Sequence, residues 1–442
     1  MAPEDLACLT IWDKSHAWHP FTQMRDWTAP DHQPLFITHG EGVWLYDQDG
    51  NRYLDGNSTI WTNLHGHRHP RLDAALRDQL GKIAHVSSLG FSNEPSTRLA
   101  KALTELWPAG TLTRVFFSDN GSTAVECAVK MALQYHQLTG HPARSGFASF
   151  DHAYHGDTMA AATLGGIATF ADRFRQFGLR TQHFPAMAEL AALPEEASAQ
   201  LAAVIIEPLI QGSAGMKTWP SGMLAALRSW CDARGVLLIC DEVMTGFGRT
   251  GRMFACEHEG VVPDFLCLAK GLSGGYLPLA ATLTHERIYE AFLGRYEELK
   301  TFFYGHSYTG NPLACAVALA SLDVFREEQT LDALVSKIAL LTELLAGLRA
   351  RHPRHLGEVR QCGLIAGLDL RQDAAGVPFP WQEQTGARVC FAARAAGLLT
   401  RPIRDTLVLM PPLSITAAEM HHAVAALDHG LTAVCGHRDD SH

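Results

Sequence analysis

Two ionisable residues stand at the ends of apolar, strand-like segments, where charged groups are uncommon. Lys270 ends the run DFLCLAK at 264–270, and glycines follow soon after it. Asp241 directly follows the apolar segment VLLIC at 236–240, 29 positions before Lys270. Burial at a strand end favours the neutral form of a lysine amine, and a neutral amine is a nucleophile. Taken alone, Lys270 is better explained as an ordinary surface or salt-bridged lysine.

The combination of Lys270 with Asp241 indicates a specific cofactor chemistry. An amine that forms a Schiff base and a carboxylate that pairs with a pyridinium nitrogen are what pyridoxal phosphate requires from a protein. A phosphate site is expected where a strand passes into a helix behind glycine and a hydroxyl group. The segment FSDNGST at 117–123 fits with Gly121 and Ser122. Asn-Gly-Ser is equally an ordinary turn and helix cap.

Tyr154 is a candidate for stacking on a flat cofactor. It lies in HAYHGDT, after a strand-like segment that ends at Phe150, and loops at strand ends bind ligands in open α/β sheets. The alternative is a half-buried packing residue with a hydrated hydroxyl. Glu207 in IIEP and the glycines of TGFGRTG at 245–251 have plain explanations as a strand-end acid and a loop that needs positive φ.

The composition favours a globular protein of enzyme size and argues against several other classes. The 442 residues are 47% hydrophobic, which suffices for one large α/β domain and a smaller one. The formal net charge of −10, without a long basic run, argues against a nucleic-acid or membrane partner. Ten scattered cysteines without a CxxC pair predict reduced thiols in a cytoplasmic protein, and 23 histidines without ligand spacing predict no metal. No long apolar run predicts secretion or membrane insertion.

A parallel sheet is needed to bring these residues together, and the hydrophobic pattern predicts one. From Arg114 to Lys270, strand-like and helical segments alternate, which is typical of a mainly parallel sheet covered by helices. We predict an amphipathic helix from Pro70 to Ile83 and a surface helix near 186–202.

The two ends of the chain predict a smaller α/β domain. Asp49-Gly50 indicates a hairpin between GVWLYD and RYLDG, and a capping box at Thr416 to Glu419 begins the last helix. We expect residues 1–65 to form the N-terminal part of the small domain, 66–330 the large cofactor-binding domain, and 331–442 the C-terminal small domain.

Six ordered segments resemble the class III, ω-type (subgroup II) aminotransferases of fold type I over nearly the whole chain. This resemblance implies an α/β, fold type I, pyridoxal-phosphate-dependent transferase whose large domain holds a mainly parallel sheet of the seven-stranded type, with a smaller α/β domain built from both termini. The segments are NGSTAVE at 120–126, AYHGDT at 153–158, IIEP at 205–208, DEVMTGFGRTG at 241–251, LAKGLSGG at 268–275 and GHSYTGNPLACA at 305–316.

The resemblance implies a role for each candidate. Lys270 binds the cofactor covalently and moves the proton between substrate and cofactor, Asp241 keeps the pyridine nitrogen protonated, and Tyr154 lies against the ring. The phosphate is bound by Gly121 and Ser122, joined by two residues from the other subunit of a homodimer. Those two residues are His306 and Ser307. The substrate positions are Phe21, Ile60, Trp61, Tyr154, Lys270, Gly305 and Arg401.

Four further segments narrow the resemblance to family members that make 7,8-diaminononanoate in biotin biosynthesis. Such members move an amino group from adenosylmethionine or lysine to 8-amino-7-oxononanoate, and Arg401 would pair the carboxylate of this keto acid; a solvated small-domain charge is the alternative. Many members carry tyrosine and tryptophan where this chain has Phe21 and Ile60, so the donor stays open. The segments are WHPFTQM at 18–24, MFACEH at 253–258, LLTRPI at 398–403 and LVLMPPL at 407–413.

Other functions stay open. An ornithine- or aminobutyrate-type ω-aminotransferase would carry an arginine before the double proline and an acid after the Glu-Pro pair, positions that are here Leu409 and Ser213. A dicarboxylate would then lack its partners. A non-catalytic, cofactor-binding regulator or scaffold has no need for Lys270 beside Asp241. An aminomutase or racemase of the same fold has no specific support in the sequence.

Overall fold

The computed structural model describes residues 3–436. Residues 1, 2 and 437–442, which fall in the predicted small-domain segments, lie outside the described residues. In chain order, the strands are β1 (Ile37–Glu41), β2 (Trp44–Asp47), β3 (Arg52–Asp55), β4 (Leu112–Ser118), β5 (Gly146–Phe150), β6 (Thr181–Phe184), β7 (Leu201–Ile206), β8 (Ile210–Gln211), β9 (Lys217–Thr218), β10 (Leu237–Asp241), β11 (Phe265–Leu268), β12 (Ala280–His285), β13 (Leu356–Cys362), β14 (Ile365–Leu370), β15 (Leu398–Leu399), β16 (Pro402–Ile403) and β17 (Thr406–Leu409).

The helices lie between and around these strands. In chain order, they are α1 (Pro3–His16), α2 (Met24–Trp27), α3 (Ser58–Trp61), α4 (Pro70–Leu80), α5 (Glu94–Thr104), α6 (Gly121–Leu138), α7 (Met159–Leu164), α8 (Ala168–Ala171), α9 (Met187–Ala191), α10 (Glu195–Ser198), α11 (Met223–Arg234), α12 (Glu286–Ala291), α13 (Pro312–Glu327), α14 (Thr330–Arg351), α15 (Thr385–Ala395) and α16 (Ala417–Cys435). Short 3-10 turns cover Arg175–Phe177, Ala255–Glu259, Lys270–Ser273, Tyr296–Glu298 and Trp381–Glu383.

The central sheet confirms the predicted mainly parallel, seven-stranded architecture. Its strand order is β4-β12-β11-β10-β7-β5-β6. Strand β12 is antiparallel to both of its neighbours, whereas the other adjacent pairs are parallel. Every residue of β7, β10 and β11 is buried, and alternate apolar residues of β10 and β11 belong to two different apolar clusters. Because both faces are covered, these strands are continuous apolar runs rather than alternating ones.

The sheet topology explains why Asp241 and Lys270 meet. Asp241 ends β10 and lies opposite Cys267 of the parallel strand β11. Lys270 follows two residues after β11 and begins a 3-10 turn. Strand β4 runs in the same direction as β11, since both are antiparallel to β12, so Ser118 ends at the same edge. Ligands bind at this carboxyl edge in open α/β sheets.

Two smaller sheets join the ends of the chain. Strands β13, β14, β17 and β16 form an antiparallel sheet, and β1, β2 and β3 continue into β15. The predicted hairpin at Asp49-Gly50 is confirmed by the antiparallel pairing of β2 with β3. Leu54 of β3 then pairs in parallel with Leu398 of β15, which supports a small domain built from both termini. The boundaries at residues 65 and 330 stay a prediction.

Three local elements differ from the predicted ones. The helix predicted to reach Ile83 ends at Leu80. The single surface helix near 186–202 is wrong: α9 and α10 are separate short helices, because Pro194 lacks an N–H and cannot continue a helix. Helix α1 has no counterpart among the predicted elements. Among residues 3–436, every helix is too short or too polar to traverse a lipid bilayer.

Candidate active site

A cavity of about 450 Å³ lies at the carboxyl edge of the central sheet. Its lining brings together the cofactor candidates Gly121, Ser122, Tyr154, Asp241 and Lys270, which are far apart in the sequence. This arrangement agrees with the expectation that strand ends and the start of α6 share one site.

The start of α6 is built to receive an anion. Asn120 caps the helix: its side chain accepts from the Thr123 N–H at 3.1 Å, and the Thr123 hydroxyl accepts from the Asn120 N–H at 3.0 Å. The cavity is lined by Gly121 and Ser122, whose first-turn N–H groups have no partner within a helix. The positive end of an 18-residue helix therefore faces the cavity.

Close packing requires glycine at two positions around this helix start. A Cβ atom on Gly121 would lie 2.6 Å from Cγ1 of Val243, and one on Gly156, whose φ is +123°, would lie 2.2 Å from Oγ of Ser122. Oγ of Ser122 accepts from the Asp157 N–H at 3.1 Å, so its own hydrogen is free to donate to a ligand. The result is a tight cradle in which backbone can approach a phosphate.

Asp241 is hydrogen-bonded to His155, a residue that was not predicted from the sequence. Nδ1 of His155 lies 2.8 Å from Oδ2 of Asp241, and the Val243 N–H donates to Oδ1 at 3.1 Å. Since an ionised carboxylate only accepts, Nδ1 of His155 carries the proton. Both side chains are buried. The position of His155 next to Tyr154 in AYHGDT was the only sequence signal, because its partner is 86 residues away.

The Lys270 amine loses its proton more readily than an ordinary lysine does. Burial lowers the pKa of Lys270 to about 8, although the carboxylates of Asp241 and Glu207 oppose this shift. At pH 7 roughly a tenth of such amines are neutral, compared with fewer than about one in a thousand for an ordinary lysine. Nζ lies 4.6 Å from the ring centroid of Trp61. The residue adopts φ +45°, a strained conformation for a non-glycine residue.

Glu207 has a larger structural role than the strand-end acid that its sequence suggested. Its buried carboxylate accepts from the Tyr154 N–H at 3.0 Å and from the Gly212 N–H at 2.9 Å. Burial raises the pKa of Glu207 to about 7. The Tyr154 hydroxyl donates to Asp157 at 2.6 Å, and burial together with this bond raises the pKa of Tyr154. Glu207 thus ties the Tyr154 loop to the loop that begins at Gly212.

A second cavity of about 590 Å³ adjoins the first and shares Trp61, Tyr154 and Lys270 with it. No carboxylate among the described residues pairs with the exposed Arg401, which lines this cavity. The cavity contains six of the seven predicted substrate residues: Phe21, Ile60, Trp61, Tyr154, Lys270 and Arg401. Further apolar lining comes from Ile167, Phe170, Ile403 and Val408.

Ile60 and Trp61 reach the cavity from a left-handed turn. All four residues of α3, Ser58–Trp61, have φ between +47° and +69°. Left-handed backbone costs roughly 1–2 kcal/mol per residue, so tertiary contacts must hold it. The Ser58 hydroxyl donates to the Met410 carbonyl at 2.7 Å, and Nε1 of Trp61 donates to Oδ1 of Asn57 at 2.8 Å.

The segment Gly305 to Ser307 lines neither cavity. Gly305 and Ser307 are exposed, and Nδ1 of His306 lies 2.6 Å from Oδ2 of Asp119 in the same chain. Asp119 itself lines the first cavity. A contribution of this segment to the site of another subunit stays a prediction.

The residues present fit pyridoxal 5'-phosphate. The glycine cradle at α6 suits the phosphate, and the Asp241 carboxylate suits a pyridinium nitrogen. The Lys270 amine, whose pKa is lowered to about 8, suits an aldehyde. Within residues 3–436, no group of three or more histidine, cysteine or acidic side chains is arranged to hold a metal ion.

Sequence comparisons point to the same chemistry. The chain is 48% identical over 450 residues to the adenosylmethionine-8-amino-7-oxononanoate aminotransferase of Nitratidesulfovibrio vulgaris, covering 97% of this chain and 82% of that protein. It is 46% identical over 457 residues to the protein of the same name from Geobacter sulfurreducens, covering 99% of this chain and all of that protein.

Solved structures of aminotransferases superpose on nearly the whole chain. The adenosylmethionine-8-amino-7-oxononanoate aminotransferase of Methanocaldococcus jannaschii superposes with a TM-score of 0.94 at 40% identity, over 97% of this chain and 99% of that one. An amine transaminase from an uncultivated Pseudomonas species, solved in the PLP-bound internal aldimine form, gives 0.86 at 34% identity, over 95% and 99%.

The family model described as aminotransferase class-III matches residues 27–431, which include every candidate site residue except Phe21. Since both the match and the similar full-length proteins extend over nearly the whole chain, the enzyme is a transaminase that uses pyridoxal 5'-phosphate, and it belongs to the class-III aminotransferases.

Proposed function

We propose that this enzyme transfers an amino group from adenosylmethionine or lysine to carbon 7 of 8-amino-7-oxononanoate, which gives 7,8-diaminononanoate for biotin biosynthesis. The donor leaves as the corresponding oxo compound, so amino and keto groups balance. The observation that carries the proposal is the cavity of about 590 Å³, which joins Lys270 to Arg401 through largely apolar walls; no carboxylate within residues 3–436 pairs with Arg401. The names of the similar proteins support the same substrate.

The proposal assigns a role to each residue of the cofactor site. Gly121 and Ser122 bind the cofactor phosphate, and Lys270 attaches the cofactor and carries the proton at the reacting carbon. Asp241, held by His155, keeps the pyridine nitrogen protonated. When bound, pyridoxal 5'-phosphate supplies an aldehyde that accepts the amino group and a ring that withdraws electrons.

The substrate cavity favours a long acid with one carboxylate. Phe21, Ile60 and Trp61 present apolar surface to the substrate chain, and Arg401 can bind its carboxylate through two parallel hydrogen bonds. Leu409 is fully buried, and Ser213 lines the cavity, so neither position offers the charges that a glutamate-using enzyme would need. These features favour the proposed keto acid over a dicarboxylate.

We further propose that the enzyme is a cytoplasmic homodimer. Gly305, His306 and Ser307 would then complete the substrate and phosphate sites of the other subunit. The exposure of Gly305 and Ser307 leaves them accessible for that contact. The ten cysteines are nearly all shielded from solvent and include no CxxC pair, which supports a reducing compartment.

Single-turnover spectroscopy tests the function. The yellow holoenzyme is mixed with adenosylmethionine, lysine, ornithine or 4-aminobutyrate, and the cofactor absorbance is followed. We expect adenosylmethionine or lysine to remove the colour and 8-amino-7-oxononanoate to restore it, with 7,8-diaminononanoate detected by mass spectrometry. The control is Lys270→Ala, which should not turn over.

The other outcomes separate the alternatives. Bleaching by ornithine or 4-aminobutyrate, with recovery only by 2-oxoglutarate, would identify the glutamate-using rival. No spectral change with any amine would favour a non-catalytic regulator.

A further inference from the structure

Arg360 joins the small antiparallel sheet to a loop beside the substrate cavity. It lies on β13, and Nη1 and Nη2 donate to the two carboxylate oxygens of Asp369 on β14, each at 2.5 Å. Nη2 also donates to the Gly215 carbonyl at 2.7 Å, and Nε donates to the Met216 carbonyl at 3.1 Å. The Arg360 side chain is only 10% exposed. One guanidinium therefore binds two separate parts of the molecule.

Both ends of this connection reach the substrate cavity. Oδ1 of Asp369 accepts from the Thr406 hydroxyl at 2.6 Å. Thr406 on β17 and Gly215 both line the cavity of about 590 Å³. We call the series Gly215, Arg360, Asp369 and Thr406 the Arg360 bridge.

The parts joined by the bridge are packed without spare room. A Cβ atom on Gly215, whose φ is +86°, would lie 2.9 Å from Oγ1 of Thr406. A Cβ atom on Gly367 of β14 would lie 2.8 Å from Cβ of Met216. Two glycines thus allow the loop to approach the sheet, and the planar guanidinium then fixes its distance and direction. A lysine ammonium cannot reproduce this fork of donors.

The sheet end of the bridge also carries the predicted carboxylate ligand. Arg401 immediately precedes β16, and Ile403 of β16 pairs with Thr406 of β17. The loop end begins at Gly212, whose N–H is bound by Glu207. The Arg360 bridge therefore sets the spacing between the loop wall at 213–215 and the strand pair that follows Arg401.

We propose that Arg360 is a positioning residue for recognition of the keto acid, acting through Asp369 and Thr406 to hold Arg401 at a fixed spacing from the loop at 213–215. This inference rests on the proposed function. Without the guanidinium, the Gly215 and Met216 carbonyls and the Asp369 carboxylate lose a shared partner, and the loop can move away from the sheet. Lys270 and Asp241 belong to the central sheet edge and keep their geometry.

The test compares Arg360→Lys with Arg228→Lys in the holoenzyme. Arg228 is a matched control, since it is 16% exposed and pairs with Asp264 at 2.9 Å, at the opposite edge of the central sheet. In Arg360→Lys, we expect the KM for 8-amino-7-oxononanoate to rise about 10- to 100-fold, with kcat and the donor half-reaction within about threefold of wild type. Arg228→Lys should leave this KM unchanged.

A double-mutant cycle with Arg401→Met tests whether Arg360 acts by positioning Arg401 or by a general loosening of the protein structure. Because both residues act on the same carboxylate contact, adding Arg360→Lys to Arg401→Met should raise KM by less than about threefold more. The proposal would be overturned if the effects of Arg360→Lys and Arg401→Met on KM multiplied, as independent effects do. An equal rise in KM for Arg228→Lys would also overturn it. Asp369→Asn keeps the shape of the bridge but removes its charge, and should shift KM in the same direction; an unchanged KM in this variant would also contradict it.

Wild-type turnover distinguishes this proposal from the proposed function. If the wild type does not use 8-amino-7-oxononanoate, the proposed function fails, and the same variants are measured with the carboxylated acceptor that it does use. A KM for that acceptor that does not respond to Arg360→Lys overturns the positioning role.

Discussion

Replacing Lys270 with methionine should stabilise the cofactor-free chain while abolishing its activity. Lys270 is largely buried, and burial lowers the pKa of its amine to about 8 from the ordinary value of 10.5. The folded chain therefore holds this proton less tightly than the unfolded chain does. A methionine of similar length carries no charge to bury.

The size and sign of the effect follow from this pKa difference. About 2.5 pKa units correspond to about 3 kcal/mol, taken as an upper bound. Between pH 8 and pH 10.5 the unfolded chain binds more protons at this position, so the stability of the wild type rises with pH across that window. Below pH 8 the full cost of burying the charge is present. The advantage of Lys270→Met should therefore be largest at pH 7 and mostly lost near pH 10.5.

Urea unfolding of the cofactor-free proteins at equal concentration measures this difference. We expect Lys270→Met to exceed wild type by about 2–3 kcal/mol at pH 7 and by less than half of that at pH 10. The control is Lys101→Met. Lys101 is exposed and pairs with Glu105 four residues on, and its replacement should change stability by less than about 0.5 kcal/mol. A variant no more stable than wild type at pH 7, or a gain independent of pH, would refute the reasoning.

Two further replacements test the roles of single charges. Asp241→Asn should fold normally, since the amide oxygen can still accept from the Val243 N–H. Its kcat/KM should fall about 100- to 1,000-fold because the negative charge is lost. A near-normal kcat/KM would show that Asp241 is not the pyridinium partner. Arg401→Met should weaken binding of the keto acid by about 2–3 kcal/mol and so raise its KM, while the rate of the donor half-reaction, measured by stopped-flow absorbance, stays within about twofold of wild type. Equal impairment of both half-reactions would contradict a carboxylate-binding role.

The meeting of Asp241 with Lys270 could be predicted because it depends on strand order and direction alone. Each residue follows an apolar run typical of a buried parallel strand, and adjacent parallel strands end at the same edge. The start of α6 was predictable for a similar reason, since the Asn-Gly-Ser-Thr cap is a local signal.

The left-handed turn at α3, which brings Ile60 and Trp61 to the substrate cavity, could not be predicted in this way. Ser58–Trp61 contains no glycine, and β-branched Thr59 and Ile60 disfavour left-handed backbone. The turn exists because Ser58 is bonded to the Met410 carbonyl, 352 residues further along the chain. The His155 contact with Asp241 is likewise tertiary. Such partners have no period or spacing from which they can be inferred.

The parallel pairing of β3 with β15 has a consequence for how the chain is made. Leu54 leaves the ribosome early, but its partner Leu398 is synthesised roughly 340 residues later, which takes about 20–70 s at usual elongation rates. During that interval the hairpin of β2 and β3 presents an unpaired edge, and this edge still lacks its partner after the last strand of the central sheet, β12, has emerged. We therefore expect this early hairpin to be a site through which newborn chains can aggregate, and chaperone binding there would protect them.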